Sequence, residues 1–186
     1  IDRTHYYEHA LLCALAPFLH DGSGLYSASA VPAAAAPAAK KPRPTSVAEN
    51  GGNREFIDKL ALIVVDGRKQ LVARSRGKRA FFTPGGKREV GESDEEALVR
   101  ECKEELSVDL VRETIHPYGV FEAQAHGKPA GTMVRMTCYT ARWTGTLVAS
   151  EEVEELKWIN SECPHEELSV TGVMIMQHLK SKDLID

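Results

Sequence analysis

Three glutamates, Glu101, Glu104 and Glu105, are the residues of this chain whose types and spacing best suit chemistry. They lie within the stretch from Gly86 to Val108, GKREVGESDEEALVRECKEELSV. On a helix, residues three and four apart are neighbours, so the three carboxylates would share a face. Like charges at that spacing cost a helix about 0.2–0.5 kcal/mol per pair. A divalent cation reverses the sign, because hard oxygen donors are what Mg2+ and Mn2+ take. The other reading of the same residues is a solvated acidic face.

The surrounding sequence supplies elements to position them. Ser93-Asp94-Glu95-Glu96 has the form of a capping box and predicts a helix from Asp94. Leu98, Cys102 and Leu106 form its apolar stripe, with Ala97 beside it, and the three glutamates lie off that stripe. Arg100 is four residues from both Glu96 and Glu104 and can orient either. Pro84-Gly85-Gly86 predicts a turn whose glycines let the backbone approach a ligand or ion.

Upstream, FIDKLALIVV reads as a largely buried strand, Asp66-Gly67 as a hairpin turn and Gln70 to Arg74 as a returning strand. Arg74, Arg76, Lys78 and Arg79 make a basic loop, either a solvated turn or a contact for phosphate. Downstream, Tyr118 to Ala125 and Thr132 to Trp143 are expected to pair as strands, with Gln124, His126 and Arg135 as polar groups facing a pocket. An acidic loop, SEEVEE, precedes a short strand in which Leu156 and Trp158 are expected to pack. Thr171 to Lys180 reads as an amphipathic closing helix with Val173, Met174 and Leu179 inward.

The first 53 residues differ in character. Thr4 to Leu19 has helical periodicity, and Asp21 to Gly52 is an Ala/Pro-rich linker that cannot bury enough apolar surface to offset its ordering entropy. The expected organisation is an extension over 1–53 and a main domain over 54–186, with the extension's helix packing on the domain or on a protein partner. A net charge of −4 gives no general affinity for nucleic acid, and no apolar run approaches a membrane span. The four cysteines have no metal-ligand spacing and read as reduced thiols, which places the chain in the cytoplasm or an organelle matrix rather than outside the cell. The first residue is Ile1, which leaves open what preceded it.

With these residues in view, the stretch Gly86–Val108 resembles the Nudix box. Gly86, Glu92, Arg100-Glu101, Glu104-Glu105 and Val108 match its fixed positions, and FFTPGGK is similar to its usual lead-in. Two positions depart: Cys102 fills an aliphatic site, and Ser107 replaces the glycine expected at the helix end. The resemblance implies a Nudix fold, a mixed β-sheet between α-helices in an α/β/α sandwich. It implies divalent-metal-dependent hydrolysis of a nucleoside diphosphate linked to another moiety, a nucleoside triphosphate or oxidised nucleotide being the first candidate. It assigns Glu101, Glu104 and Glu105 to Mg2+ or Mn2+, with the Gly85 or Gly86 carbonyl assisting. Glu101 or Glu152 becomes the general base, with Glu155 the next candidate, and Glu104 shares the catalytic assignment. Glu92 and Arg100 become structural residues of the motif. Arg74, Arg76, Lys78, Gln124 and Arg135 are then the candidates for substrate binding. Ala123 and Gln124 stand where two substrate subclasses carry a marker residue, and neither marker is present. The other class of function is a Nudix-fold subunit of a larger assembly, docked through residues 1–53.

Overall fold

The computed structural model describes residues 56–186; the expected N-terminal helix, the linker and their partner lie outside the described residues. Strand β1 (Phe56–Leu62) runs parallel to β6 (Met133–Thr140), which also pairs antiparallel with β5 (His116–Gln124). A second sheet has the order β2 (Val65–Asp66), β3 (Lys69–Ser75) and β8 (Val153–Ile159), with β3 in the centre. Two short strands, β4 (Asp109–Leu110) and β7 (Trp143–Thr144), form a third pair. Helix α1 spans Asp94–Leu106 and helix α2 spans Val170–Ser181.

Alternation along β1 divides the core. Leu60, Leu62 and Val64 pack with Ala97, Leu98, Cys102 and Leu106 of α1. Ala61 and Ile63 belong to the opposite cluster, with Ile175, Met176 and Leu179 of α2. The two-residue side-chain period of a strand thus feeds one helix on each side, giving the α/β/α sandwich. The hairpin turn falls at Gly67-Arg68, one residue later than expected, because Asp66 is still paired with Lys69. Both turn residues have positive φ, 51° and 59°, the twist that a two-residue hairpin requires.

Two packing expectations fail. Trp158 is 37% exposed, since β8 is the outer strand of its sheet and its side chains keep one open flank. Met174 is 38% exposed, because the buried positions of α2 (Thr171, Gly172, Ile175, Met176 and Leu179) form one helical arc that excludes it. Among the described residues no helix is long and apolar enough to cross a membrane, and Cys102, Cys138 and Cys163 are free thiols.

Candidate active site

Helix α1 begins where the sequence places it. Ser93 Oγ accepts from the Glu96 N–H at 3.3 Å, and Glu96 Oε2 accepts from the Ser93 N–H at 2.9 Å. Glu96 is thereby committed to the cap, and Arg100 turns the other way. Its Nε and Nη2 donate to the two Glu92 oxygens at 2.7 and 2.9 Å, and Nη2 also donates to the Lys87 carbonyl at 3.0 Å. Its Nη1 donates to Glu101 at 2.9 Å and Glu104 at 3.1 Å. One guanidinium therefore pins the loop after Gly86 onto the helix and orients two of the three glutamates. The Arg100 bonds and the Glu89 N–H hold the Glu92 carboxyl down at about 2.

The turn before the helix is fitted just as closely. Gly85 has φ 133°, and a Cβ on it would lie 2.3 Å from the Leu60 carbonyl oxygen. The turn lies along the free edge of β1, where the Leu60 N–H donates to Gly86 O at 2.8 Å and the Leu62 N–H to Pro84 O at 2.9 Å. A Cβ on Gly86 would lie 2.2 Å from the Glu101 carboxyl carbon, so that carboxylate rests against bare backbone. The Gly85 N–H donates to Glu105 Oε2 at 2.7 Å.

Glu105 is not part of an exposed acidic face. It is 3% exposed. Burial first, and then the charges of Glu101 and Glu152, push its carboxyl up to about 8 against the lowering effect of the Gly85 N–H and Lys59. Burial also raises Glu101, with Arg100 opposing.

These groups line a cleft of about 650 Å3. Helix α1 contributes Glu101, Glu104 and Glu105, and the acidic loop contributes Glu151 and Glu152. Gly85 and Gly86 form part of its backbone wall, and Lys59 and Lys87 supply positive charge. The acidic loop is held there by the end of α1. The Val148 N–H donates to Leu106 O at 3.0 Å and the Ser150 N–H to Glu105 O at 3.2 Å, which uses carbonyls that a helix end leaves unpaired. Ser107, at the position where glycine was expected, takes the left-handed conformation (φ 61°) and ends the helix in the same way.

The expected substrate-binding residues are placed elsewhere. None of Arg74, Arg76, Lys78, Gln124 and Arg135 lines the cleft. Arg74 is paired with Glu155 at 2.6 Å and Glu154 at 3.4 Å, which also removes Glu155 from the set of free bases. Lys78 offers its carbonyl to Arg74 at 3.2 Å. The Arg76 N–H donates to Glu152 O at 2.9 Å, so the basic loop supports the acidic one through its backbone. Gln124 closes the β5–β6 turn, accepting from the Gly131 N–H at 2.9 Å and donating to Pro129 O at 2.8 Å. Arg135 pairs across strands with Glu122 at 2.6 Å and lies over the Phe56 ring at 4.5 Å. Lys59, Lys87 and Glu151 were missed in the sequence. The available signal was, for Lys59, a lysine inside a mainly apolar strand, and for Glu151 a second carboxylate beside Glu152.

The donors of the cleft are hard oxygens, a set that fits Mg2+ or Mn2+. Raised carboxyl groups at Glu101 and Glu105 mark a place where positive charge would be stabilised. Among the described residues, however, no three His, Cys, Asp or Glu side chains converge as a ready-made metal cluster. Arg100 Nη1 gathers Glu101 and Glu104, whereas Glu105 turns to the Gly85 N–H.

Comparison with known proteins adds independent findings. The family profile described as the NUDIX domain matches residues 58–172. Isopentenyl-diphosphate Delta-isomerase of Salmonella heidelberg is 34% identical over 104 residues, covering 50% of this chain and 55% of that protein. The chain thus spans about half the length of the curated relatives it matches. Among solved structures, the E. coli ORF135 protein superposes with a TM-score of 0.55 at 23% identity, over 72% of this chain and 97% of that one. The MutT NUDIX hydrolase of Burkholderia pseudomallei also gives 0.55, at 22% identity over 66% and 97%. The E. coli dihydroneopterin triphosphate pyrophosphohydrolase gives 0.53 at 17% identity over 67% and 95%. At these identities the superpositions establish a shared fold.

Proposed function

The chain belongs to the Nudix domain family, and from that premise we propose that it hydrolyses a phosphoanhydride bond in a nucleoside diphosphate linked to another moiety. The observation that carries this reading is the single cleft lined by Glu101, Glu104 and Glu105 of α1 together with Glu152. The first substrate candidates are a nucleoside triphosphate and an oxidised nucleotide.

Glu101, Glu104 and Glu105 would hold Mg2+ or Mn2+, with the Gly86 carbonyl, which already accepts from Leu60, offering its second lone pair. Bound there, such an ion supplies positive charge to the diphosphate oxygens and acidifies the attacking water. The chain's own part is positional. Arg100 fixes the carboxylates of Glu101 and Glu104, and the Gly85 N–H fixes that of Glu105. Glu152, on the facing loop, is the candidate to take the proton from water, with Glu101 as the alternative. The bare Gly86 backbone leaves room for the Glu101 carboxylate to lie directly against it.

The test is release of phosphate or pyrophosphate from a panel of nucleoside triphosphates, oxidised nucleotides and dinucleotides with Mg2+ or Mn2+. Glu104→Gln is expected to lower turnover at least about 100-fold, equivalent to ~2.7 kcal/mol of barrier. Its melting temperature should stay near wild type, because the side chain is 48% exposed. Unchanged turnover would remove Glu104 from the mechanism. A second reading rests on the similarity to an isomerase named for isopentenyl diphosphate. On that reading the cleft holds a diphosphate ester without cleaving it. Conversion of isopentenyl diphosphate with no phosphate release from any nucleotide would favour it.

A further inference from the structure

Lys59 stands on β1, immediately before the residue whose N–H donates to Gly86 O, and it lines the carboxylate cleft. Five glutamates and two lysines face that space, and of the lysines Lys59 is the one held in a strand. Lysines beside carboxylates ordinarily close an ion pair. Here three of those five carboxylates are bound by other groups, Glu101 and Glu104 by Arg100 and Glu105 by the Gly85 N–H. Among the described residues no carboxylate forms an ion pair with Lys59, although its charge is felt by both Glu101 and Glu105. A lysine of intermediate burial is therefore left without a short-range partner on the wall formed by β1.

A diphosphate entering this cleft meets net negative charge from α1 and the acidic loop. On the lining of the same cleft, Lys59 is a positive group that such a diphosphate can meet. A compact ammonium on a flexible stem suits a phosphate oxygen as a point charge. We propose that Lys59 is a substrate-binding residue that takes a non-bridging oxygen of the diphosphate and offsets the excess negative charge of the cleft. The assignment rests on the reading of the cleft as a diphosphate site, and it adds a residue to which no part of the sequence motif assigns a role.

The test separates the lysine from the metal donors. Mn2+ is titrated into wild type, Lys59→Met and Lys59→Arg by calorimetry, and the Mn2+-loaded proteins are then titrated with methylenediphosphonate, a diphosphate that cannot be hydrolysed. Lys59→Met is expected to bind Mn2+ no more weakly than wild type, since a repelling charge has been removed, and to bind methylenediphosphonate about tenfold more weakly. Lys59→Arg should recover most of the loss. Wild-type probe affinity in Lys59→Met overturns the assignment of Lys59 alone. Parallel loss of Mn2+ and probe binding in Lys59→Met also overturns it, by making Lys59 a prop for the carboxylates. A wild-type protein that binds Mn2+ but no probe, or neither, overturns both this assignment and the diphosphate site beneath it.

Discussion

Arg100 and Arg135 both gather carboxylates, one within the loop–helix segment that carries the cleft and the other across the β5–β6 ribbon. Arg100 is 24% exposed and joins Glu92, Glu101, Glu104 and a backbone carbonyl, all within 18 residues of chain from Lys87 to Glu104. Arg135 is 42% exposed and holds Glu122, with Asp58 at 3.7 Å on β1. The first network fixes the shape of a site, because it ties a loop outside any strand to a helix. The second fastens strands that backbone pairing already fixes. An equally charged residue therefore has unequal consequence, depending on whether the backbone around it is otherwise determined.

The sharpest way to break this contrast uses glycine. Gly85→Ala places a Cβ 2.3 Å from the Leu60 carbonyl and is expected to cost about 3 kcal/mol or more. Gly127→Ala in the ribbon's turn meets nothing within 4 Å, and at φ +70° it should cost about 1–2 kcal/mol. Urea denaturation of both variants decides, and equal losses would mean that the turn before α1 is no more constrained than the ribbon's tip. Next in size, Arg100→Ala should destabilise by about 1–3 kcal/mol and lower turnover as well, since Glu101 and Glu104 lose their orienting group. Arg135→Ala should cost less than about 1 kcal/mol and leave turnover unchanged. A drop in turnover at Arg135 would return it to the site.

Smaller effects sharpen the comparison. Ser107→Gly should stabilise the protein by about 0.5–1 kcal/mol, by relieving a left-handed serine at the end of α1. Thermal denaturation of the variant reads it, and a loss would mean that the serine hydroxyl contributes more than its backbone strain costs. On the ribbon side, His178 of α2 lies edge-on to Tyr118 and Phe121 of β5. Burial first, and then the Lys182 charge, depress its pKa below 6.5. The unfolded chain then takes up that proton more readily than the folded one. Stability is therefore expected to fall as pH drops through 6.5 towards the depressed folded value. His178→Phe keeps the ring contacts and should give a shallower decline between neutral and mildly acidic pH.

What could be read in the chain follows the range of the interactions involved. The capping box at Ser93–Glu96, the stripe Leu98–Cys102–Leu106 and the Gly85–Gly86 turn are each local, so residue type and spacing state them directly. Arg100 was narrowed to two partners by spacing, and the structure chose Glu104 while giving Glu96 to the cap. Helix geometry put Glu101, Glu104 and Glu105 on one side of α1. Only packing against the glycine turn made Glu105 a buried carboxyl and Glu104 a half-exposed one.

The strand residues were a different case. The sequence puts Arg74 with a basic loop and Gln124 and Arg135 towards a pocket, yet their partners come from register and turn closure: Glu155 opposite Arg74, Glu122 opposite Arg135, and the Gly131 N–H folded back onto Gln124. Lys59, by contrast, met the cleft because β1 runs beside a turn 25 residues further along the chain. The sequence by itself therefore determined the helix, its cap, its charged set and the family they signal. The tertiary structure decided which charges face the cleft and which are spent in holding strands together, because burial and cross-strand pairing depend on neighbours that no local spacing encodes.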